Sequence, residues 1–212
     1  GISPKTDWLK EAGARKKAFR NDRISVARKD GELHALDILK AVESILTDDT
    51  LLIIDGGNIA QWVHQILCSD RYPGHWISNG AGGVVGHGLP AAMAARLLYP
   101  ERPVVLITGD GALTFTVSEF ETAARQGLNF VVIVADDEAW GIILTGQEKT
   151  LGQGIKSELG PIRFDKMAEA FGCVGSRVEK ADQIGPAIEE GLASSCPTLI
   201  HIPVVRSNPT DG

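Results

Sequence analysis

The sequence is short of the residues that mark several classes of protein. It contains only three cysteines, Cys68, Cys173 and Cys196, and their spacing fits no metal-binding motif. This pattern predicts reduced thiols in a cytoplasmic protein. Positive charge is also in the minority, since the formal net charge is −6 and no basic cluster carries interleaved aromatic residues. Nucleic acid is therefore not expected as the main partner.

Long hydrophobic runs are missing as well. There is no stretch of about 20 apolar residues and no signal-peptide pattern, so neither a membrane nor secretion is predicted. At 212 residues the chain is long enough for one large domain or for two small ones. Residues 1–34 are rich in Lys and Arg and have little apolar periodicity, which predicts a basic linker or arm from a preceding domain. Residues 206–212 are expected to form a C-terminal tail.

Residues 35–205 alternate between two kinds of segment. Short runs that are apolar throughout predict buried strands, and longer runs with apolar residues at helical spacing predict amphipathic helices. Apolar strands separated by helices are typical of a parallel sheet covered on both faces. We therefore predict one doubly wound α/β domain with about six mostly parallel strands. The predicted strands lie near residues 50–55, 75–78, 103–111 (with its turn), 129–137, 173–178 and 198–204, and the predicted helices near 33–46, 59–67, 89–99, 117–127, 165–173 and 182–193.

Three of these strands end in acidic residues and glycines, in the segments IIDGGN (53–58), LITGDGA (106–112) and VIVADDEAWG (132–141). In open parallel sheets, ligands bind beyond the carboxyl ends of the strands. Asp137 follows Asp110 by 27 positions, with one strand–helix–strand unit between them, so both carboxylates are expected at the same edge. Carboxylate oxygens from two strand ends suit Mg²⁺.

These residues carry a resemblance to a known family. A GDG motif, followed at the end of the next strand by a polar pair and a glycine, resembles the diphosphate- and metal-binding motif of the thiamine-diphosphate enzymes. The segment NGAGGVVGHGLPAAMAARLLYP (79–100) resembles the glycine-rich turn of that family and the helix that follows it. DGGN (55–58) lies where an earlier strand end would contact the diphosphate. The resemblance covers about residues 35–205 and is strongest to the C-terminal, cofactor-binding domain of the acetolactate synthase-like branch.

The resemblance implies a role for each matching residue. Asp110 and Asp137 would give side-chain oxygens to Mg²⁺, and Ala139 its backbone carbonyl. Val85 matches the bulky apolar residue that holds the cofactor bent, and Gly83 would offer a carbonyl to the aminopyrimidine amine. Val85 and Gly83 are therefore the expected catalytic positions. The diphosphate would be bound by a further group of residues, namely Gly57, Asn58, Gly109, Gly111 and Ala112.

The chain departs from the family at two of these places. The family usually has Asn-Asn where this chain has Asp136-Asp137, which adds negative charge beside an anionic diphosphate. Asp136 and Glu138 are interpreted as solvated or loop-capping residues rather than as ligands. Val85 is smaller than the Met, Leu or Ile more common at its position, which predicts a looser contact with the cofactor.

Histidine and tryptophan residues outside these motifs are interpreted mainly as structural. His64 on its helix and His201 in its strand are expected to be structural. His87 could face the substrate or be a plain turn residue. Trp140 could line the substrate pocket or pack beside Gly141.

A nicotinamide-binding enzyme is a weaker interpretation of the same glycines. Gly82, Gly86 and Gly88 fit the GxxxGxG spacing of short-chain dehydrogenases. Those enzymes also need a Tyr and a Lys four residues apart, and neither Tyr72 nor Tyr99 has a Lys at that distance. The glycine turn also comes too late in the chain, after a complete strand and helix.

The resemblance implies a Mg²⁺-dependent 2-keto acid decarboxylase or carboligase that uses thiamine diphosphate. The alternative within the family is an enzyme acting on a 2-hydroxyacyl-CoA or oxalyl-CoA substrate. In this family a glutamate from a separate pyrimidine-binding domain protonates the cofactor ring, and nothing in this sequence resembles that domain. A pyrimidine-binding partner domain or subunit is therefore expected, in a homo-oligomer (dimer or tetramer). The chain alone is expected to be inactive, and a non-catalytic cofactor-binding module is left as a third hypothesis.

Overall fold

The computed structural model describes residues 5–26, 31–67, 75–78 and 80–209, so Cys68 and Tyr72 lie outside the described residues. The strands are β1 Leu51–Ile54, β2 Trp76–Ser78, β3 Val104–Gly109, β4 Val131–Asp136, β5 Val174–Arg177 and β6 Thr198–Pro203. They form one six-stranded sheet in the order β2-β1-β3-β4-β6-β5. Every neighbouring pair is parallel. The predicted doubly wound parallel sheet is confirmed.

Helices cover both faces of this sheet. They are α1 Thr6–Ile24, α2 Ala35–Ile45, α3 Asn58–Ile66, α4 Gly88–Leu98, α5 Asp110–Thr114, α6 Glu119–Arg125, α7 Gly141–Leu151, α8 Phe164–Ala170 and α9 Ala181–Ala193, with a 3₁₀ turn at Gly80–Gly82. Among the described residues, no helix has the length and apolar character that a membrane span requires.

The core consists of two apolar layers, one on each side of the sheet. Leu51 and Ile53 of β1 contact the layer under α4, α6 and α8, whereas Leu52 and Ile54 contact the layer under α2, α3 and α9. Side chains alternate between faces along a strand, so a run that is apolar at every position supplies both layers. Each large side chain buried in this way contributes about 1.5–3 kcal/mol, which is the main force holding the helices to the sheet.

Strand register brings the polar strand ends to one edge of the sheet. Gly109, the last residue of β3, pairs with Ala135 of β4. Asp110 and Asp136 therefore follow these paired residues side by side. β1 borders β3 on its other side and is followed by Asp55.

The two ends of the described chain lie against the domain. Helix α1 has no buried residue but contacts α3, and Arg20 forms an ion pair with Glu43 at 2.7 Å. After β6, the Ser207 carbonyl accepts a hydrogen bond from Trp62 Nε1 at 3.1 Å, and Asn208 is buried. The proposed linker at 1–34 and the tail at 206–212 stay predictions.

Candidate functional site

Two glycine-containing strand ends meet backbone to backbone at the carboxyl edge. Gly109 donates its N–H to the carbonyl of Gly56 at 3.0 Å. Gly57 has a φ of 99°, and a Cβ at that position would lie 3.2 Å from Cα of Gly109. A positive φ and a close backbone approach both favour glycine. The two turns therefore form one continuous floor beside Asp110.

Asp110 begins helix α5 and is buried at the centre of this edge. Its Oδ2 accepts a hydrogen bond from the N–H of Ala139 at 3.2 Å. Burial, together with the nearby charge of Asp137, raises the pKa of Asp110 to about 8. A bare carboxylate is therefore disfavoured here, and a proton or a metal cation would stabilise the group.

Asp137 lies opposite Asn58 at the same edge. Asn58 Nδ2 donates to Asp137 Oδ2 at 3.1 Å, and Asn58 Oδ1 accepts from Asn208 at 3.3 Å. Burial raises the pKa of Asp137, and the hydrogen bond from Asn58 offsets only part of that effect. The fold thus brings Asp110, Asp137, Asn58 and Ala139 together from three different strand ends.

A cavity of about 150 Å³ opens beside Asp110. A smaller cavity of about 10 Å³ adjoins it and contacts Asn58, Gly109 and Asp137. Gly83 has a φ of 60° in an exposed turn and does not line either cavity. The larger cavity is lined by Gly57, Val85, Asp110, Gly111, Ala112, Ala139, Trp140, Gly141, Ile142 and Ile143.

Trp140 forms one wall of the larger cavity. Its ring meets Phe115 edge to face, with 5.8 Å between the ring centroids. A Cβ at Gly111 would lie 2.8 Å from the Trp140 ring, so the indole rests directly on that glycine. Trp140 therefore lines the cavity and packs against Phe115 and Gly111, and its contact with a substrate stays a prediction.

Asp55 anchors the glycine-rich turn, a role that the sequence analysis missed. Its Oδ1 accepts the N–H of Gly86 at 3.1 Å, and its Oδ2 accepts that of Gly88 at 2.8 Å. His87 Nδ1 lies 3.2 Å from the same carboxylate, which favours the turn interpretation of His87. The available signal was an acidic residue directly after a buried strand, together with glycines that offer free N–H groups.

The position of Asp136 differs in part from the expectation that it is a solvated or loop-capping residue. It is buried, so the interpretation as a solvated residue was wrong, whereas loop capping holds because its Oδ1 accepts the N–H of Glu138 at 3.1 Å. Its Oδ2 lies 2.8 Å from Nε2 of His201, which is fully buried. Burial acts to raise the pKa of Asp136, but the hydrogen bonds from His201 and Glu138 bring it below its usual value. Glu138 itself is exposed.

The side-chain atoms that Asp110 and Asp137 offer to a cation at this edge are oxygens. Among the described residues, no group of three or more His, Cys, Asp or Glu side chains forms a metal site. A cation here would therefore use the two carboxylates of Asp110 and Asp137 with carbonyl, water or phosphate oxygens. Mg²⁺ binds proteins in this way, with few protein ligands and several from water or substrate phosphates.

Comparison with known proteins decides the family. Residues 55–202 match the family described as "Thiamine pyrophosphate enzyme, C-terminal TPP binding domain", a match that spans well over half of the chain. The chain belongs to this family. It is a thiamine-diphosphate-binding domain, and its relatives include acetolactate synthases.

This thiamine-diphosphate-binding domain is similar to relatives of two activities. "Acetolactate synthase, catabolic" of Raoultella terrigena is 34% identical over 178 residues, which cover 84% of this chain and 32% of the relative. "2-hydroxyacyl-CoA lyase 2" of Caenorhabditis elegans is 30% identical over 193 residues, which cover 89% of this chain and 30% of the relative. The chain thus spans about a third of the length of these relatives.

A solved structure supports the fold. The thiamine diphosphate-dependent 4-hydroxybenzoylformate decarboxylase of Rhodococcus jostii RHA1 superposes with a TM-score of 0.76 at 24% sequence identity. The superposition covers 87% of this chain and 34% of the decarboxylase chain. The thiamine-diphosphate-binding domain therefore keeps its architecture at low sequence identity.

Proposed function

We propose that this domain binds the diphosphate half of thiamine diphosphate through Mg²⁺, as one part of a 2-keto acid decarboxylase or carboligase. The observation that carries the proposal is the convergence of Asp110 and Asp137 beside a glycine-lined cavity. The raised pKa values of both carboxyls support it, because a bound cation would stabilise their charged forms.

The cation would be held by Asp110, Asp137 and the backbone carbonyl of Ala139. Gly111 and Ala112 line the cavity next to Asp110, where their N–H groups would bind diphosphate oxygens. A further set of residues would complete the diphosphate site from the adjoining turns, namely Gly57, Asn58 and Gly109.

The bent cofactor would rest on Val85. This side chain is 39% exposed and lines the cavity, and its Cγ1 would lie 3.2 Å from a Cβ at Gly56. Gly83, in the exposed turn before Val85, would direct its carbonyl to the aminopyrimidine amine of the cofactor. These two residues are the proposed catalytic positions, because they would orient the cofactor so that its aminopyrimidine amine acts as the base.

When bound, thiamine diphosphate supplies a nucleophilic carbon that attacks the substrate carbonyl and stabilises the charge left by CO₂. The part of this chain is to bind and orient the cofactor and to line its pocket with Trp140, Ile142 and Ile143. The glutamate that protonates the ring would come from a pyrimidine-binding domain or subunit in a homodimer or homotetramer.

The free thiols of Cys173 and Cys196 support a cytoplasmic location.

A 2-hydroxyacyl-CoA lyase is the second candidate. The observation that favours it is the similarity to relatives of that name in Caenorhabditis elegans and Bos taurus. The cofactor half of the site would be the same for both activities, so the substrates distinguish them.

Calorimetry of the chain with Mg²⁺ and thiamine diphosphate tests the binding proposal. Binding of each should depend on the other, and Asp110→Ala should abolish it, because a central carboxylate ligand is lost. Asp182→Ala, at an exposed position on α9, is the matched control and should bind like the wild type. Binding that survives Asp110→Ala would refute the metal assignment.

Assays of the chain with its pyrimidine-domain partner test the substrate class. Release of CO₂ from pyruvate or another 2-keto acid supports the decarboxylase or carboligase. Turnover of 2-hydroxyacyl-CoA thioesters alone would support the lyase. No turnover with either panel, despite cofactor binding, would indicate a non-catalytic module.

A further inference from the structure

A buried polar network extends from the metal side of the site to the protein surface. Asp136 Oδ2 lies 2.8 Å from His201 Nε2, and His201 Nδ1 lies 3.4 Å from Asp165 Oδ1. Arg163 binds the Asp165 carboxylate with two hydrogen bonds, at 2.9 and 2.7 Å. Arg177 Nη1 lies 3.3 Å from His201 Nδ1. The imidazole thus lies between the two carboxylates, with Arg163 paired to Asp165 and Arg177 paired to Glu179 at the outer end.

The same network fixes the turn that carries the proposed metal ligands. Both oxygens of Asp136 are engaged, Oδ2 by His201 and Oδ1 by the N–H of Glu138. Glu138 has a φ of 52°, which is uncommon for a residue other than glycine. The next N–H along the turn, that of Ala139, binds Asp110. The position of Asp136 therefore sets where the turn presents Asp137 and Ala139.

Asp136 also lies beside Asp110 at the edge of the sheet, because the residues that precede them, Ala135 and Gly109, are paired between β4 and β3. Without a restraint, the Asp136 carboxylate would be a third acidic ligand for a cation, beside Asp110 and Asp137. His201 provides the restraint, because it is fully buried and its ring is fixed by Asp165 on one side and by edge-on contact with Phe164 at 5.5 Å on the other.

We infer that His201 is a positioning residue of the metal site, which holds the Asp136 carboxylate so that Asp110 and Asp137, and not Asp136, bind the cation. This inference rests on the proposed function. It explains how the site accommodates Asp-Asp where the family usually has Asn-Asn. The acidic side chain at 136 is balanced by a histidine that reaches it from the neighbouring strand β6.

The inference predicts a change in metal preference. Mg²⁺ favours a compact six-oxygen shell with few carboxylates, whereas Ca²⁺ takes more oxygens and tolerates additional carboxylates. His201→Ala would release Asp136 toward the cation. The preference for Mg²⁺ over Ca²⁺ should therefore fall by about tenfold, which is within the range seen when groups supporting metal ligands are removed.

The experiment is calorimetric titration of the full chain with Mg²⁺ and with Ca²⁺, at a fixed concentration of thiamine diphosphate. The variants are His201→Ala, His201→Gln, Asp136→Asn, and Asp136→Asn combined with His201→Ala. His201→Gln keeps an N–H donor and should retain the wild-type ratio of the two affinities. In the Asp136→Asn background, His201→Ala should no longer change that ratio, because no carboxylate is released.

Several outcomes would overturn the inference. A merely structural His201 would weaken Mg²⁺ and Ca²⁺ binding equally, and to the same extent in both backgrounds. If His201→Ala does not fold, the Asp136→Asn variant still tests the inference. A tenfold change in its ratio of Mg²⁺ affinity to Ca²⁺ affinity would show that Asp136 is already a ligand, which would overturn the inference. If the wild-type chain binds neither cation, the proposed function fails first and the inference with it. Wild-type binding with an unchanged ratio in His201→Ala would refute the inference alone.

Discussion

Among the glycines of the candidate site, Gly141 has the least room for a side chain. A Cβ there would lie 2.1 Å from Asn58 Nδ2 and 2.7 Å from Asp137 Oδ2. Gly141→Ala must therefore separate this pair or displace the start of α7. We expect the affinity for thiamine diphosphate with Mg²⁺ to fall by about tenfold or more, because the support of a proposed metal ligand is lost. Calorimetry measures the effect.

Gly146 provides the matched control for that substitution. It lies in the same helix, and a Cβ there would meet nothing within 4 Å. Gly146→Ala should keep the wild-type affinity and raise the stability of the helix by up to about 1 kcal/mol. Equal affinity in the two variants would mean that the contact between Asn58 and Asp137 has no part in cofactor binding.

At the scale of elements, one backbone approach fixes helix α8 against the edge strand β5. A Cβ at Gly175 would lie 2.0 Å from the carbonyl oxygen of Asp165. Gly175→Ala must push the strand away from the helix. The atom that the new Cβ meets belongs to the backbone, so no side-chain rotation can relieve the clash. We expect the free energy of unfolding to fall by about 2–3 kcal/mol, as measured by urea denaturation.

Gly185→Ala in helix α9 is the control for this prediction. A Cβ at Gly185 would touch only Ile45 Cδ1 at 4.0 Å, so the substitution should be neutral or stabilising by up to about 1 kcal/mol. If Gly175→Ala also changes the stability by less than about 0.5 kcal/mol, the typical range for surface substitutions, then α8 is free to shift.

Two helices that the sequence did not predict, α1 and α7, bury few residues. Strands such as Leu51–Ile54 and helices such as Ala35–Ile45 bury apolar residues at regular spacing, which can be read locally. Helix α1 buries no residue and helix α7 buries only Gly141 and Leu144. Periodicity could not reveal them, since it reports burial rather than backbone conformation.

At the scale of the whole molecule, we expect the network around His201 to make stability depend on pH. The hydrogen bond from Arg163 holds the pKa of Asp165 well below its usual range. A carboxyl with a lowered pKa in the folded state adds stability above its unfolded value of about 3.9, and this stability is lost as the pH falls further. Asp165→Asn should therefore reduce the free energy of unfolding most above about pH 5, and the deficit should narrow below about pH 4.

Urea denaturation of the two proteins between about pH 7 and pH 3 measures this difference. Glu189→Gln, at an exposed position on α9, is the control and should give a small difference at every pH. A deficit for Asp165→Asn that stays constant down to the lowest pH would show that the charge of Asp165 does not contribute, and that only its packing matters.

The sequence by itself determined the sheet and the edge at which the site lies. Runs that are apolar on both faces bury stably only in a sheet covered on both sides, and parallel strands carry their terminal residues to one edge. Asp110 and Asp137 could be placed at that edge for this reason. The contact of Asp137 with Asn58 was not predicted, because it depends on the placement of β1 beside β3 in the folded sheet.

Only the tertiary structure decided how the adjacent carboxylates Asp136 and Asp137 differ. The two are identical in type, yet Asp137 meets Asn58 from the turn after β1, whereas Asp136 meets His201 from β6. His201 is 65 positions away and reaches Asp136 because β4 pairs with β6. No local pattern specifies which strands become neighbours, since that choice depends on how all the helices and strands bury their apolar faces together.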